Sequence, residues 1–412
     1  MEFDNSLLLI TTWKKIIDRS DVDYCGSVEQ TSDGGYVIFA ERPGTGWIFK
    51  LDPEGNQVWE MTYGGSGYDG FCDGHQTNDG GYIAVGFTDS YSGNLDVYLV
   101  KTDDKGLVEW SKYFGDSSND CGGKSVQQTT DGGYILVGMN GEEAWLIKTD
   151  SQGNECWNQT YLDGTKSRGI SVQQTSDGGF IIAGCGFLNG ERWHDALLIK
   201  TDTDGKEEWR NTYGGTKIDE AYSVLQTSDD GYIVYGDSDS FGGSWLIRTD
   251  NNGHELWNYT YYGVAEGTVD ITDDGGFVFA DSSFALLRSN QMRIVKTDEN
   301  GRVQWVRLIG GLKGEWGYCV RQTDDGGYVA IGLTTDINSY EEDVFVIKTN
   351  RQGRVHLDIK DPWRHPWLSY FWSLIQGLLG SQKYRGVSNL EPSFISHHSR
   401  LLNRFPNAIS IL

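Results

Sequence analysis

The chain is poor in proline, cysteine and basic charge, and each shortage excludes something. Six prolines in 412 residues are few for a disordered chain, and four of them (Pro362, Pro366, Pro392, Pro406) lie beyond residue 360. Six cysteines include no CxxC pair and no cysteine–histidine run of zinc-ligand spacing. Cys25, Cys72, Cys121 and Cys319 fall near the same point of different repeats, too far apart to be bridged, so they read as buried free thiols. Lys and Arg number 34 against 59 Asp and Glu, a net charge of −25. Nucleic-acid binding needs a basic surface that displaces counterions, and is therefore not expected. Neither Leu7–Ile10 nor the segment 366–380 reaches the roughly twenty apolar residues of a membrane span.

What is present is a repeat. QTSDGGY at Gln30 returns as QTNDGGY at Gln76, QTTDGGY at Gln128, QTSDGGF at Gln174, QTSDDGY at Gln226 and QTDDGGY at Gln322. ITDDGGF, starting at Ile271, is a seventh and weaker copy. A period near fifty residues marks a repeat architecture. Within the third copy, Lys124–Thr129 reads as a strand, and Asp131-Gly132-Gly133 turns it into Tyr134–Gly138. Ala144–Asp150 follows, and Gln152-Gly153-Asn154 leads into a fourth strand carrying Trp157 and Tyr161. Such Asp-Gly and Gly-Gly turns supply the positive φ that tight hairpins need. Four short antiparallel strands per copy, seven times over, predict an all-β, seven-bladed β-propeller.

The two ends of the repeat region predict closure. Six copies place a tryptophan seven residues after the third-strand aspartate, from Asp52 to Trp59 through Asp298 to Trp305; the seventh has Leu357 there. Trp13 stands before Gln30 at the interval that separates Trp59 from Gln76. The segment around 8–17 is therefore expected to be the outer strand of the last blade, leaving no free edge. Residues 1–357 form the propeller on this reading, and 358–412 a non-repeat, partly helical tail.

Repeated polar residues read as structure. The threonine and aspartate of every copy, and the glutamine of six, fit blade-to-blade and turn hydrogen bonds, and the tryptophans fit packing between blades. Thr201–Gly205 hints at a calcium loop, yet it lacks the later glycine and bidentate glutamate of an EF-hand. No metal or cofactor is expected. Residues that break the repeat lie on unequal loops of one face, where binding usually resides. Tyr68, Asp69, Tyr91, Trp193, His194, Asp219 and Trp316 are the candidate ligand-binding residues, with Glu191, Arg192, Asp195, Phe241 and Tyr340 on the same face. Aromatics beside carboxylates suit sugar rings or peptides. No catalytic set is visible.

The wording Q-T-x-D-G-G-Y … K-T-D-x-x-G-x-x-x-W-x-x-x-Y-G-G, over about residues 8 to 357, resembles archaeal and bacterial secreted or surface β-propeller proteins. It is also similar to delta-60 repeat propellers and, more distantly, to quinoprotein-type blades. The resemblance implies the fold far more than an activity, and the vicinal cysteines of quinoprotein dehydrogenases are absent. The expected function is a non-catalytic binding or scaffold module for a glycan or protein ligand. A glycan hydrolase or lyase at the channel mouth and a structural surface or assembly protein are the alternatives. The acidic start Met1–Asp4 with its four-residue apolar run resembles neither a signal peptide nor a span, which reads as cytoplasmic, whereas the resembling proteins are often exported. In the tail, the aromatic-rich segment 366–380 has one apolar helical stripe, suited to docking on a subunit or to a membrane interface.

Overall fold

A computed structural model describes residues 12–17, 24–115, 121–161, 166–187, 193–265, 267–284, 290–310, 314–335 and 342–355. The tail, its segment 366–380, Glu191, Arg192 and Tyr340 lie outside the described residues. The regular elements described are strands, grouped into seven four-stranded antiparallel sheets. Each sheet is one blade of the propeller, and its strands are counted here from the first, at the central channel, to the fourth, at the rim. No helix among the described residues is long and apolar enough to cross a membrane.

Burial explains the composition of each strand. In the third blade, Tyr134–Asn140 and Glu143–Thr149 are sandwiched by neighbouring blades and are almost continuously apolar. Strands covered on both faces lose the usual alternation. The rim strand Glu155–Tyr161 is mostly exposed, with Tyr161 turned inward. Turn chemistry is equally regular. Asp33 accepts hydrogen bonds from Thr31 Oγ1 at 2.5 Å, Gly35 N at 3.0 Å and the buried Lys50 Nζ at 2.8 Å. Burial would raise its pKa, but these donors hold it down at about 2. The same threonine, aspartate and buried cation recur in every blade, with Arg248 replacing lysine in the fifth.

Two interlocks join the blades. Each tryptophan packs on a turn glycine of the next blade, from Trp59 on Gly106 to Trp305 on Gly353. These glycines have φ near +75°, and an added Cβ would strike the indole, so position and rotamer are both restricted. Each indole also meets the edge or tilted face of the next blade's first aromatic, as Trp59 meets Tyr82 at 5.7 Å. The repeated glutamines make the second interlock. Gln76 Oε1 accepts from Ser32 N of the preceding blade at 2.8 Å, and Gln128, Gln174, Gln226, Gln322 and Gln30 repeat the bond around the ring. Only the join between blades five and six lacks it, because Ile271 has no acceptor. We expect Ile271→Gln to supply the missing bond to Ser228 N and to raise stability by about 0.5–1 kcal/mol. Urea unfolding with an unchanged m-value is the check, and a lower midpoint would count against it.

The N-terminal strand closes the ring as anticipated. Trp13–Ile17 pairs antiparallel with Glu342–Thr349, Trp13 opposite Lys348 and Ile17 opposite Val344. Trp13 then packs on Gly55 and donates from Nε1 to Pro53 O at 3.0 Å, which ties blade seven to blade one.

Candidate functional site

Six of the seven first strands share one irregularity. Pairing with the second strand slips by one residue between Cys25 and Ser27, Phe71 and Asp73, Gly123 and Ser125, Gly169 and Ser171, Ala221 and Ser223, and Gly317 and Cys319. A bulge adds one residue and re-aims its side chain. The extra residues are Gly26, Cys72, Lys124, Ile170, Tyr222 and Tyr318, and all of them line one central cavity of about 390 Å³. Blade six has a short first strand, Val269–Ile271, and contributes Gly267 and Thr268. A ring of unlike side chains is thus mounted on a scaffold of like ones.

The two ends of the channel differ. Toward the glycine turns, His75 lies 3.7 Å from both Glu29 and Asp73. Burial alone would lower the histidine's pKa, but the two carboxylates raise it to about 10, so it is a cation at neutral pH. Arg321 reaches Thr268 Oγ1 at 3.1 Å and feels the charges of Asp270, Asp73 and Glu29, which outweigh its burial and raise its pKa. Three carboxylates and two cations therefore hold one another at this end. Toward the variable loops stand Tyr24, Phe87, Lys124, Tyr222 and Tyr318, with the buried Glu41. Burial raises the pKa of Glu41 although the Tyr68 hydroxyl bonds to it.

None of the seven sequence-predicted residues lines this cavity. Tyr68 and His194 are linked to groups at its mouth, Tyr68 directly and His194 through Glu220. Tyr68 bonds to Glu41 and stacks on Phe87 at 5.2 Å. His194 Nε2 lies 2.8 Å from Glu220 Oε1, and the other oxygen of Glu220 accepts from the Tyr222 hydroxyl. Tyr91 stacks on Tyr113 of the rim strand at 4.7 Å, away from the channel. Trp193 is 40% exposed on the face, and Trp316 packs partly buried against the core between blades seven and one.

Asp69 and Asp219 do not project from the face: both are fully buried. Asp69 accepts from Thr88 Oγ1, from Ser90 Oγ at 2.8 Å and from Gly65 N at 2.8 Å. Asp219 does the same with Ser238, Ser240 and Gly215. A short carboxylate amid this many loop donors fixes the loop; its oxygens are already engaged.

Two partners of His194 escaped the sequence reading. Cys185, on the second strand of blade four, approaches Glu220 Oε1 with its Sγ at 3.8 Å, beside His194. The ligating atoms of Cys185, His194 and Glu220 all lie within 4.8 Å of one another. Burial, and then the charge of Glu220, push the Cys185 thiol up to about 12. Hydrogen bonds from His194 and Tyr222 lower the pKa of Glu220 against the effect of burial.

Comparison with known proteins leaves this site unassigned. No family model matches the chain, and no curated protein does. Among solved structures, a catalytically inactive virginiamycin B lyase from Staphylococcus aureus with quinupristin superposes with a TM-score of 0.55 at 9% identity, covering 82% of this chain and 99% of that one. A protein of unknown function from Dyadobacter fermentans gives 0.48 at 10% identity over 82% and 98%, and one from Bacteroides caccae gives 0.44 at 14% over 69% and 96%. Likeness at this identity shows the propeller fold alone.

Proposed function

We propose that the protein is a non-catalytic binding module that takes a terminal sugar of a glycan into the loop-side end of its central channel. The observation that carries this is the bulge ring. Tyr222 and Tyr318, with Tyr24 at the lip, surround an opening that also holds Lys124. Tyrosine offers a flat apolar face and a hydroxyl, which suits a sugar ring with one apolar side and many hydroxyls. The cavity volume falls within the usual range for small-ligand sites. Lys124, 3.9 Å from Cys72 Sγ, adds a cation that favours an acidic sugar over a neutral one.

A thermal-shift screen of neutral and acidic oligosaccharides, followed by calorimetry, tests the reading. Tyr222→Ala and Tyr318→Ala should each weaken binding at least about tenfold, equivalent to about 1.4 kcal/mol. Tyr91→Ala, at the rim, should leave it unchanged. Absence of any oligosaccharide shift, or a shift indifferent to both channel tyrosines, would overturn the reading.

A further inference from the structure

We infer that Cys185, His194 and Glu220 form a binding site for one thiolate-preferring divalent metal ion, with Zn²⁺ as the fitting chemical class. The site is built between blades four and five. Cys185 comes from the second strand Phe180–Gly186, His194 immediately precedes the third strand Asp195–Thr201, and Glu220 lies on the first strand of blade five, Asp219–Gln226. One sulfur, one imidazole nitrogen and one carboxylate oxygen make a mixed set that suits zinc and is poor for calcium or magnesium, which take oxygen ligands.

The distances are close to what an ion needs. Bond lengths of about 2.0–2.3 Å at tetrahedral angles separate ligand atoms by roughly 3.5 Å. His194 Nε2 to Glu220 Oε1 is 2.8 Å and Cys185 Sγ to the same oxygen is 3.8 Å, and the remaining separation stays within 4.8 Å. Rotamer adjustments of about an ångström suffice, without movement of the sheets. The surroundings are also those of a metal site. Tyr222 holds the outer oxygen of Glu220, the edge of Phe187 packs on the His194 ring at 5.1 Å, and Asp219 N donates to His194 O at 2.9 Å. Such outer partners orient ligands and tune affinity. Arg168, opposite Cys185 in the strand register, is the nearby cation. Three protein ligands leave the fourth tetrahedral position for water or a small anion, the arrangement of an open rather than a closed zinc site.

Co²⁺ is the probe, because a cobalt–thiolate bond gives a near-ultraviolet charge-transfer band and tetrahedral Co²⁺ gives intense visible bands. Titration of the chelator-stripped, reduced full-length protein should show both, saturating at one equivalent and displaced by Zn²⁺. Cys185→Ser should remove the charge-transfer band, and His194→Gln should retain it while weakening affinity more than about 100-fold. Tyr222→Phe should weaken affinity about tenfold, as an outer partner does. Cys156→Ser, at an exposed cysteine, should change nothing. If Cys185→Ser fails to fold, His194→Gln decides alone. No cobalt band in the wild type, a band that survives Cys185→Ser, or an affinity indifferent to His194→Gln would each overturn the site.

Discussion

Replacement of Trp13 by alanine is expected to lower stability by about 3–5 kcal/mol, the range for removing a large aromatic from a core. Trp13 is 7% exposed, wedged on Gly55 and edge-on to Tyr36 at 5.5 Å. Trp157→Ala removes the equivalent side chain inside the ring and should cost a similar amount. The two variants part company when the whole strand goes. Deleting residues 1–17 strips the partner from Glu342–Thr349 and leaves an apolar strand with an open edge, while blade three keeps all its strands in Trp157→Ala. An unpaired edge of this kind recruits other chains. Light scattering should therefore show concentration-dependent association for the deletion and not for Trp157→Ala. A deletion that stays monomeric with an unchanged midpoint would show that the ring does not depend on this strand.

Arg293→Met should be the next most damaging change, at about 3–5 kcal/mol near neutral pH, because it leaves a buried charge uncompensated. Arg293 donates from Nε to Asp281 Oδ1 at 2.7 Å and from Nη2 to Oδ2 at 2.5 Å, and Ser244 of blade five adds a bond to Oδ2 at 2.8 Å. Asp281 is fully buried, and burial outweighs Arg293 to push its pKa up to about 6. An acid whose folded pKa is raised binds more protons in the fold than in the unfolded chain. Its stabilising share is complete below about pH 4 and is lost as pH rises through 6. Without the guanidinium that pKa climbs further, so the penalty of Arg293→Met should be larger at pH 8 than at pH 5. Adding Asp281→Asn should recover most of the loss, measured as the coupling in a double-mutant cycle. A penalty that does not vary with pH would point to lost packing of the arginine stem in place of charge.

The repeat made the scaffold legible and hid the channel. Seven-fold recurrence is the trace of a demand that every blade shares. It therefore marked the Asp-Gly turns, the glutamine bonds and the tryptophans, and the spare Trp13 gave away the closure. Side chains facing the channel are under no shared demand, and they vary. The column four residues before the glutamine position reads Gly26, Cys72, Lys124, Ile170, Tyr222, Gly267 and Tyr318, and that variability was the signal available. A two-residue strand period places this column wrongly, because each bulge shifts the parity of the strand by one. Asp69 and Asp219 misled for the opposite reason: they look like site residues, yet each is spent on bonding its own loops in blades two and five. Cys185 and Glu220 sit on strands of two different blades and His194 on the loop before a third strand, and spacing rules written for local ligand pairs do not reach across them.

The offset of the tryptophan interlock bears on how such a chain could lengthen or shorten over generations. Each indole belongs by sequence to one blade and by docking to the next, from Trp13 on Gly55 to Trp305 on Gly353. A copied genetic segment of about fifty residues therefore carries a half-joint at each end, a knob facing forward and a socket facing back. Any number of copies can be spliced in register without redesigning a joint, since every joint is head-to-tail. Such joints alone would polymerise without end. What fixes the count is the angle each adds, together with the strand that returns from the beginning of the chain to lock the last blade to the first.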